Sequence, residues 1–172
     1  MAGSSTTPDK GQEGKTPSES RVVMTQLVLP TDTNALDTIF GGVIMSWIDI
    51  CGAIAAQRHS SKVVVTASLD DLHFIAPVYK GWVVNVKGQV NFVHKTSMEV
   101  GVRVDAENPQ TGEHYHTASA YLTFVALDVN KRPSVVRPLI LETDEDRRHW
   151  SEAERRRELR LKRRFNKAEI KS

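Results

Sequence analysis

One carboxylate stands inside the only strongly apolar helical segment in the body of the chain: Asp49, within GGVIMSWIDICGAIAAQRHS at residues 41–60. Aspartate is a poor helix-interior residue, and its charge loses hydration in a helix that is apolar on nearly all sides. Such a group is either bonded to a neighbouring loop or available as a general base, with desolvation raising its pKa toward the range useful near neutrality. Ahead of it, Gly41 and Gly42 leave the first helical turn without side chains. The free backbone N–H groups at the positive end of the helix dipole can then approach a carbonyl or anionic oxygen closely, the geometry of an oxyanion site. Tight packing of the helix start against a strand is the other use of such a pair. Asn34, 15 residues before Asp49, offers an amide that can orient water or a carbonyl, or can serve the turn chemistry of the PTDTN loop.

The elements that must position these groups follow from periodicity. RVVMTQLVLP, from Arg21 to Pro30, reads as a first strand, and four more follow the helix. KVVVTASLDDLHFI, residues 62–75, alternates and then slips phase near Asp70 and Asp71, the mark of a bulge. In residues 82–93 Val84, Val86, Val90 and Phe92 share the apolar face, opposite Asn85, Lys87, Gln89 and Asn91. Residues 98–105 repeat the pattern after a turn of His94, Lys95, Thr96 and Ser97, and HYHTASAYLTFVALD closes the set. An α+β domain is predicted, five antiparallel strands wrapped around one central helix. At 100° per residue, Val43, Ile44, Trp47, Ile48, Cys51, Ile54 and Ala55 face the sheet. Met45, Ser46, Asp49, Gly52, Ala53 and Ala56 form a groove left for a second subunit or a ligand.

Composition excludes several classes. A single cysteine, Cys51, rules out an internal disulfide framework and a Cys-rich zinc site, and six scattered histidines lack metal-ligand spacing. Cys51 itself projects with the core residues, as a structural thiol does. No apolar run approaches a membrane span, and the amino terminus lacks the apolar stretch of a secretory signal, which points to the cytoplasm. Residues 1–20 read as a disordered tail with almost nothing to bury. Residues 139–172 read as a charged helical extension, opened by a capping box at Ser151 and Glu154, with Trp150, Leu161, Phe165 and Ala168 in one sector. That extension lies against a neighbouring protomer or solvent. Residues 144–172 carry a net charge of +4 against −2 for the rest, but basic residues interleaved with glutamate read as a solvated face rather than a nucleic-acid stripe, and no nucleic-acid partner is expected.

The string PTDTNALDTIFGGVIMSWID, residues 30–49, resembles the signature of hotdog-fold acyl-CoA thioesterases in Asn34, Phe40-Gly41-Gly42, Met45 and Asp49. HFIAPVYKGW, HKTSMEVGVRV and AYLTFVALD followed by KRP resemble later segments of that family, so the likeness spans residues 21–138. It implies a hotdog domain that dimerises to build the active site between protomers, Asn34 of one facing Asp49 of the other, and that assembles further as a trimer of dimers. It also implies hydrolysis of fatty acyl-CoA to fatty acid and CoA, with no cofactor apart from the coenzyme A of the substrate and no metal. Gly41 and Gly42 would polarise the thioester, and Asp49 would act as general base or nucleophile. Lys95, Thr96, Ser97, Lys131 and Arg132 are candidates to hold the CoA phosphates. At Asp37 the chain departs from the family's usual glycine, placing another carboxylate near the substrate. A non-catalytic acyl-CoA-binding hotdog module is the alternative reading. Asp49 with Asn34 discriminates the two, because a pure binder has no use for a desolvated base.

Overall fold

Valines at alternate positions carry the sheet. In the computed structural model, which describes residues 13–169, the strands are β1 (Val22–Leu27), β2 (Val63–Phe74), β3 (Val83–His94), β4 (Ser97–Asn108) and β5 (Glu113–Leu127). All five pair antiparallel in one sheet of order β1-β3-β4-β5-β2, which leaves β1 and β2 as edges. Val84, Val86 and Val90 of β3 and Val100, Val102 and Val104 of β4 turn inward and are buried. The sheet curls around α2 (Gly41–Ser60), as the hotdog resemblance implies.

The register slips where β2 loses its alternation, between Asp70 and His73. Another shift, between Val90 and Phe92, escapes simple alternation. It turns Phe92 onto the outer face opposite Glu99, off the face it was predicted to share with Val84, Val86 and Val90, although the ring is still buried. There it packs against Trp150, ring centroids 4.5 Å apart.

The inner face of α2 is formed by Ile44, Ile48, Cys51 and Ala55, all buried. Burial pushes the Cys51 thiol up to about 11, and its Sγ points at the Val86 carbonyl, as a structural thiol would. The groove expected on the opposite side is narrower than the projection indicates. Gly52 and Ala56 are buried, because the Phe124 ring closes on the bare Gly52 backbone; a Cβ there would lie 2.9 Å from the ring. Met45, Ser46, Asp49 and Ile50 remain exposed as a stripe along the helix.

The described parts of both tails are tied to the domain. Residues 1–12 lie outside the described residues, but the expectation of disorder fails for residues 13–20. Pro17–Ser20 forms a short helix, α1. β1 begins only at Val22, so the Val90 N–H lacks a strand partner there and donates to the Ser20 hydroxyl at 2.9 Å. Lys15 pairs through its backbone with Pro138 and Ile140. The C-terminal helix α3 (Asp144–Glu169) starts seven residues before the predicted cap. Its capping box is Thr143 with Asp146: the Asp146 N–H donates to the Thr143 hydroxyl at 3.1 Å, and the Thr143 N–H to the Asp146 carboxylate at 2.9 Å. Instead of leaving its own domain, α3 lies across the outer face of the sheet. No helix among the described residues is long and apolar enough to cross a membrane.

His59, near the end of α2, is buried with Nε2 against the Arg137 carbonyl at 3.1 Å and Nδ1 without a partner among the described residues. Burial holds its pKa below the ordinary value, helped by Lys15 and Arg137 and opposed by Glu19 and the Arg137 carbonyl. The native state therefore favours the neutral ring, whereas the unfolded chain takes up a proton below about pH 6.5. Stability is expected to fall as pH drops through that value. Thermal melts at pH 7.5 and 5.5 should show a smaller difference for His59→Gln than for the native chain.

Candidate active site

Asn34 sits in a loop organised around its own side chain. Its Oδ1 accepts the Leu36 N–H at 2.9 Å, its Nδ2 donates to the Thr38 hydroxyl at 3.0 Å, and its backbone N–H donates to the Thr38 carbonyl. Asp37 adopts φ 55°, a left-handed conformation that aspartate tolerates. Its carboxylate faces Lys80 at 3.3 Å, an exposed ion pair that partly offsets the extra negative charge.

The loop delivers the chain to Phe40 and the start of α2. A Cβ on Gly42 would fall 2.4 Å from the Phe40 ring, and one on Gly41 would touch Phe74 at 3.4 Å. The helix start is thus tightly packed, one of the two predicted uses, and the Gly41 and Gly42 N–H groups have no backbone acceptor among the described residues. Beside them opens a cleft of about 320 Å3, lined by Thr38, Gly41, Ile44, Phe74, Pro77 and Val78 among others.

Asp49 stands apart from this group. Eight residues along α2 correspond to about 12 Å, so one carbonyl cannot touch both the first-turn N–H groups and the Asp49 carboxylate of a single chain. Within the chain Asp49 is exposed, and Thr66 of β2 donates its hydroxyl to Oδ1 at 2.6 Å. Thr66 was missed in the sequence, where it is one β-branched residue in a strand. The hydroxyl holds the carboxylate in one orientation.

Lys95, Thr96 and Ser97 form the β3–β4 turn, and Lys131 and Arg132 lie in the turn after β5. Lys95 and Lys131 have φ of 46° and 60°. The Lys95 carbonyl accepts the Val136 N–H and the Thr96 carbonyl the Ala126 N–H, so the two turns are neighbours. Both stand at the end of the sheet where α2 finishes, away from Gly41 and Gly42 of the same chain. The side chains of Lys95, Lys131 and Arg132 are exposed. Among the described residues, no three His, Cys, Asp or Glu side chains cluster as metal ligands.

A five-stranded sheet curled around one helix, with a carboxylate at mid-helix and an open glycine-rich helix start, defines a hotdog domain of thioesterase type. The model of the thioesterase superfamily matches residues 36–113. A Bacillus subtilis protein called an uncharacterized acyl-CoA thioester hydrolase is 44% identical over 128 residues, 74% of either chain. The mouse cytosolic acyl coenzyme A thioester hydrolase is 34% identical over 84% of this chain, which spans only 38% of its length. The chain belongs to the thioesterase superfamily.

Solved structures agree. An acyl-CoA hydrolase from Bacillus cereus superposes with TM-score 0.86 at 39% identity, covering 92% of this chain and 96% of its own. An apo-hexameric acyl-CoA thioesterase gives 0.84 at 39% identity, covering 88% and 97%. A Staphylococcus aureus acyl-CoA hydrolase, bound to butyryl coenzyme A, coenzyme A and coenzyme A disulfide, gives 0.85 at 35% identity, covering 92% and 96%. That enzyme has also been solved with an asparagine, an aspartate and a threonine each replaced by alanine. Its asparagine precedes the aspartate by 15 residues and its threonine follows by 17. Asn34, Asp49 and Thr66 have the same two separations.

Proposed function

We propose that this chain hydrolyses acyl-CoA thioesters to a free acid and CoA in a site completed by a second copy. The observation that carries the two-chain site is the separation along α2. The helix start with Asn34 and the Asp49–Thr66 pair are each half of a hydrolytic site, and one chain holds them about 12 Å apart. The exposed stripe of Met45, Ser46, Asp49 and Ile50 provides the surface on which a second α2 can lie.

The edge strand β2 supplies the other contact. It has unpaired backbone groups along one side, and Val63 and Val65 are 66% and 45% exposed. Antiparallel pairing of two β2 strands continues the sheet and sets the two copies of α2 antiparallel. It also brings the Lys95 and Lys131–Arg132 end of one copy toward the Gly41 end of the other. Lys95, Thr96, Ser97, Lys131 and Arg132 are then suited to the phosphates of a CoA whose thioester lies at the partner's helix start. The hexameric neighbour supports further assembly of such dimers, and the mouse relative's description as cytosolic supports a cytoplasmic setting.

In the reaction, N–H groups near Gly41 and Gly42 receive the developing negative charge on the thioester oxygen. Asn34 of the same copy holds the carbonyl or the water. Asp49 of the other copy, oriented by Thr66, takes the water's proton or attacks the carbonyl itself. CoA leaves as the thiol. Thiol release from acyl-CoAs of increasing chain length tests the reading directly. Turnover of at least one of them is expected, and stoichiometric binding without thiol release would favour the non-catalytic module.

A further inference from the structure

His116 and Ser119 of β5 are three residues apart and both face outward. In an unbroken strand, residues so spaced point to opposite faces of the sheet. A bulge changes this: the register with β4 passes from Val104↔Ala118 to Asp105↔His116, which leaves Thr117 as the extra residue. Thr117 and Ala118 both turn inward and are buried, and His116 returns to the outer face beside Ser119. The Ser119 hydroxyl then lies 3.1 Å from His116 Nε2, and His116 Nδ1 lies 3.2 Å from Asp105 Oδ1.

A carboxylate only accepts, so Nδ1 carries its proton toward Asp105 and Nε2 is left to accept the Ser119 O–H. Burial raises the Asp105 carboxyl, but hydrogen bonds from Arg103, His116 and Lys87 outweigh it and hold the group below the ordinary carboxylate range. Asp105 therefore stays an anion. Hydroxyl, imidazole and carboxylate in this order are the arrangement that activates a serine as a nucleophile. Arg103 stands directly across from Ser119 in the β4–β5 register. Its Nε is held by Asp105, and its terminal nitrogens make no hydrogen bond among the described residues, so they remain available to negative charge developing beside Ser119.

Ser119 opens into a cleft of about 550 Å3 between the outer sheet face and the first turns of α3, walled by Arg21, Gln89, Arg103, Tyr121, Arg148 and His149 among others. That is room for a small molecule. Arg21 has no carboxylate partner among the described residues, and its Nε donates to Gln89 at 3.0 Å. The cleft thus favours a ligand with an anionic group. Helix α2 lies on the opposite face of the sheet, and no residue of this cleft belongs to the thioester site.

We infer that Ser119, His116 and Asp105 form a second hydrolytic site, on the outer face of the sheet, for small carboxylic esters that carry an anionic group. The Ser119 oxygen bonds to the ester carbonyl carbon while His116 Nε2 takes its proton. The bond from that carbon to the alcohol oxygen breaks as His116 passes the proton to the leaving oxygen. Water then adds to the acyl-serine with His116 again as base, the free acid departs, and Ser119 regains its proton. Asp105 is a positioning residue that fixes the imidazole tautomer.

Two assays test the inference: labelling with diisopropyl fluorophosphate followed by peptide mass spectrometry, and hydrolysis of mono-4-nitrophenyl succinate. Both are run on Asp49→Asn, so that the α2 carboxylate contributes nothing to ester turnover, and on Asp49→Asn combined with Ser119→Ala or with His116→Gln. Melting curves first establish which variants are folded. A diisopropyl phosphoryl group on Ser119 and saturable ester turnover are expected in Asp49→Asn. Ser119→Ala should remove the label and lower turnover about 100-fold or more, and His116→Gln should slow labelling and turnover by about 100-fold. Ser119 left unlabelled, or turnover unchanged by Ser119→Ala, would overturn the site and leave the three residues as a hydrogen-bonded bridge across the bulge. Labelling of Ser119 at an unchanged rate in His116→Gln would overturn it too, because the hydroxyl would then react without its base. Should His116→Gln fail to fold, Ser119→Ala and the position of the label decide alone.

Discussion

Asp49→Asn is expected to lower thiol release from acyl-CoA by about 1,000-fold while leaving fold, assembly and CoA binding intact. The substitution keeps the size of the side chain and can still meet the Thr66 hydroxyl, so packing on α2 barely changes. On the proposed mechanism it removes the acceptor for the water's proton, or the nucleophile itself, and no other carboxylate stands on the exposed stripe of the helix. Asp37 is nearest in sequence, but it belongs to the Asn34 loop and faces Lys80. Steady-state kinetics with matched melting curves and sedimentation check the expectation. Loss of activity accompanied by unfolding or dissociation would instead make Asp49 a structural residue.

Arg156→Ala is expected to destabilise the fold by about 3–5 kcal/mol, because it strands a buried carboxylate. Glu99 is 2% exposed, and its Oε1 receives the Arg156 Nη2 and Nε at 2.7 and 3.1 Å, while Oε2 has no partner among the described residues. The guanidinium also lies 3.5 Å from the Tyr121 ring centroid. Burial pushes the Glu99 pKa above its ordinary value despite Arg156, which opposes the shift. Without the arginine the shift is larger. The folded state then favours the protonated acid, so the destabilisation is full above the folded pKa and shrinks as pH falls toward the unfolded value near 4.5. Urea unfolding at pH 8 and pH 5 should show a smaller defect at the lower pH, and Glu99→Gln added to Arg156→Ala should recover stability at pH 8. Equal losses at both pH values, with no recovery in the double variant, would remove Glu99 from the explanation.

Much of the fold was legible because two periods write it into the chain. Alternating valines in β3 and β4 gave the sheet, Gly41–Ser60 gave the helix, and the phase slip at Asp70 marked a real bulge. Phe92 was misplaced because a bulge immediately before it, at Asn91, reverses the alternation without changing residue type. Glu99 alternates off the core face of β4, and only α3, folding back from 57 positions away, covers it. The α3 start was missed because an aspartate, Asp146, fills the capping-box position where glutamate or glutamine is the usual signal. Residues 13–20 bury little, and their order comes from hydrogen bonds to β3 and to Pro138–Ile140. Asn34, Gly41, Gly42 and Asp49 stood out as candidates by type, and the family resemblance joined them into one proposed site. Thr66 was not, because only the curl of β2 over α2 brings it to the carboxylate.

The central claim, a hydrolytic site divided between two copies, is tested most directly by mixing Asn34→Ala with Asp49→Asn. Each variant alone has both sites damaged. Unfolding and refolding the mixture forms hybrids in which one site has both native residues and the other has neither, so random pairing should restore about a quarter of native thiol release. A mixture that demonstrably forms hybrids but stays as inactive as its parents would contradict the account.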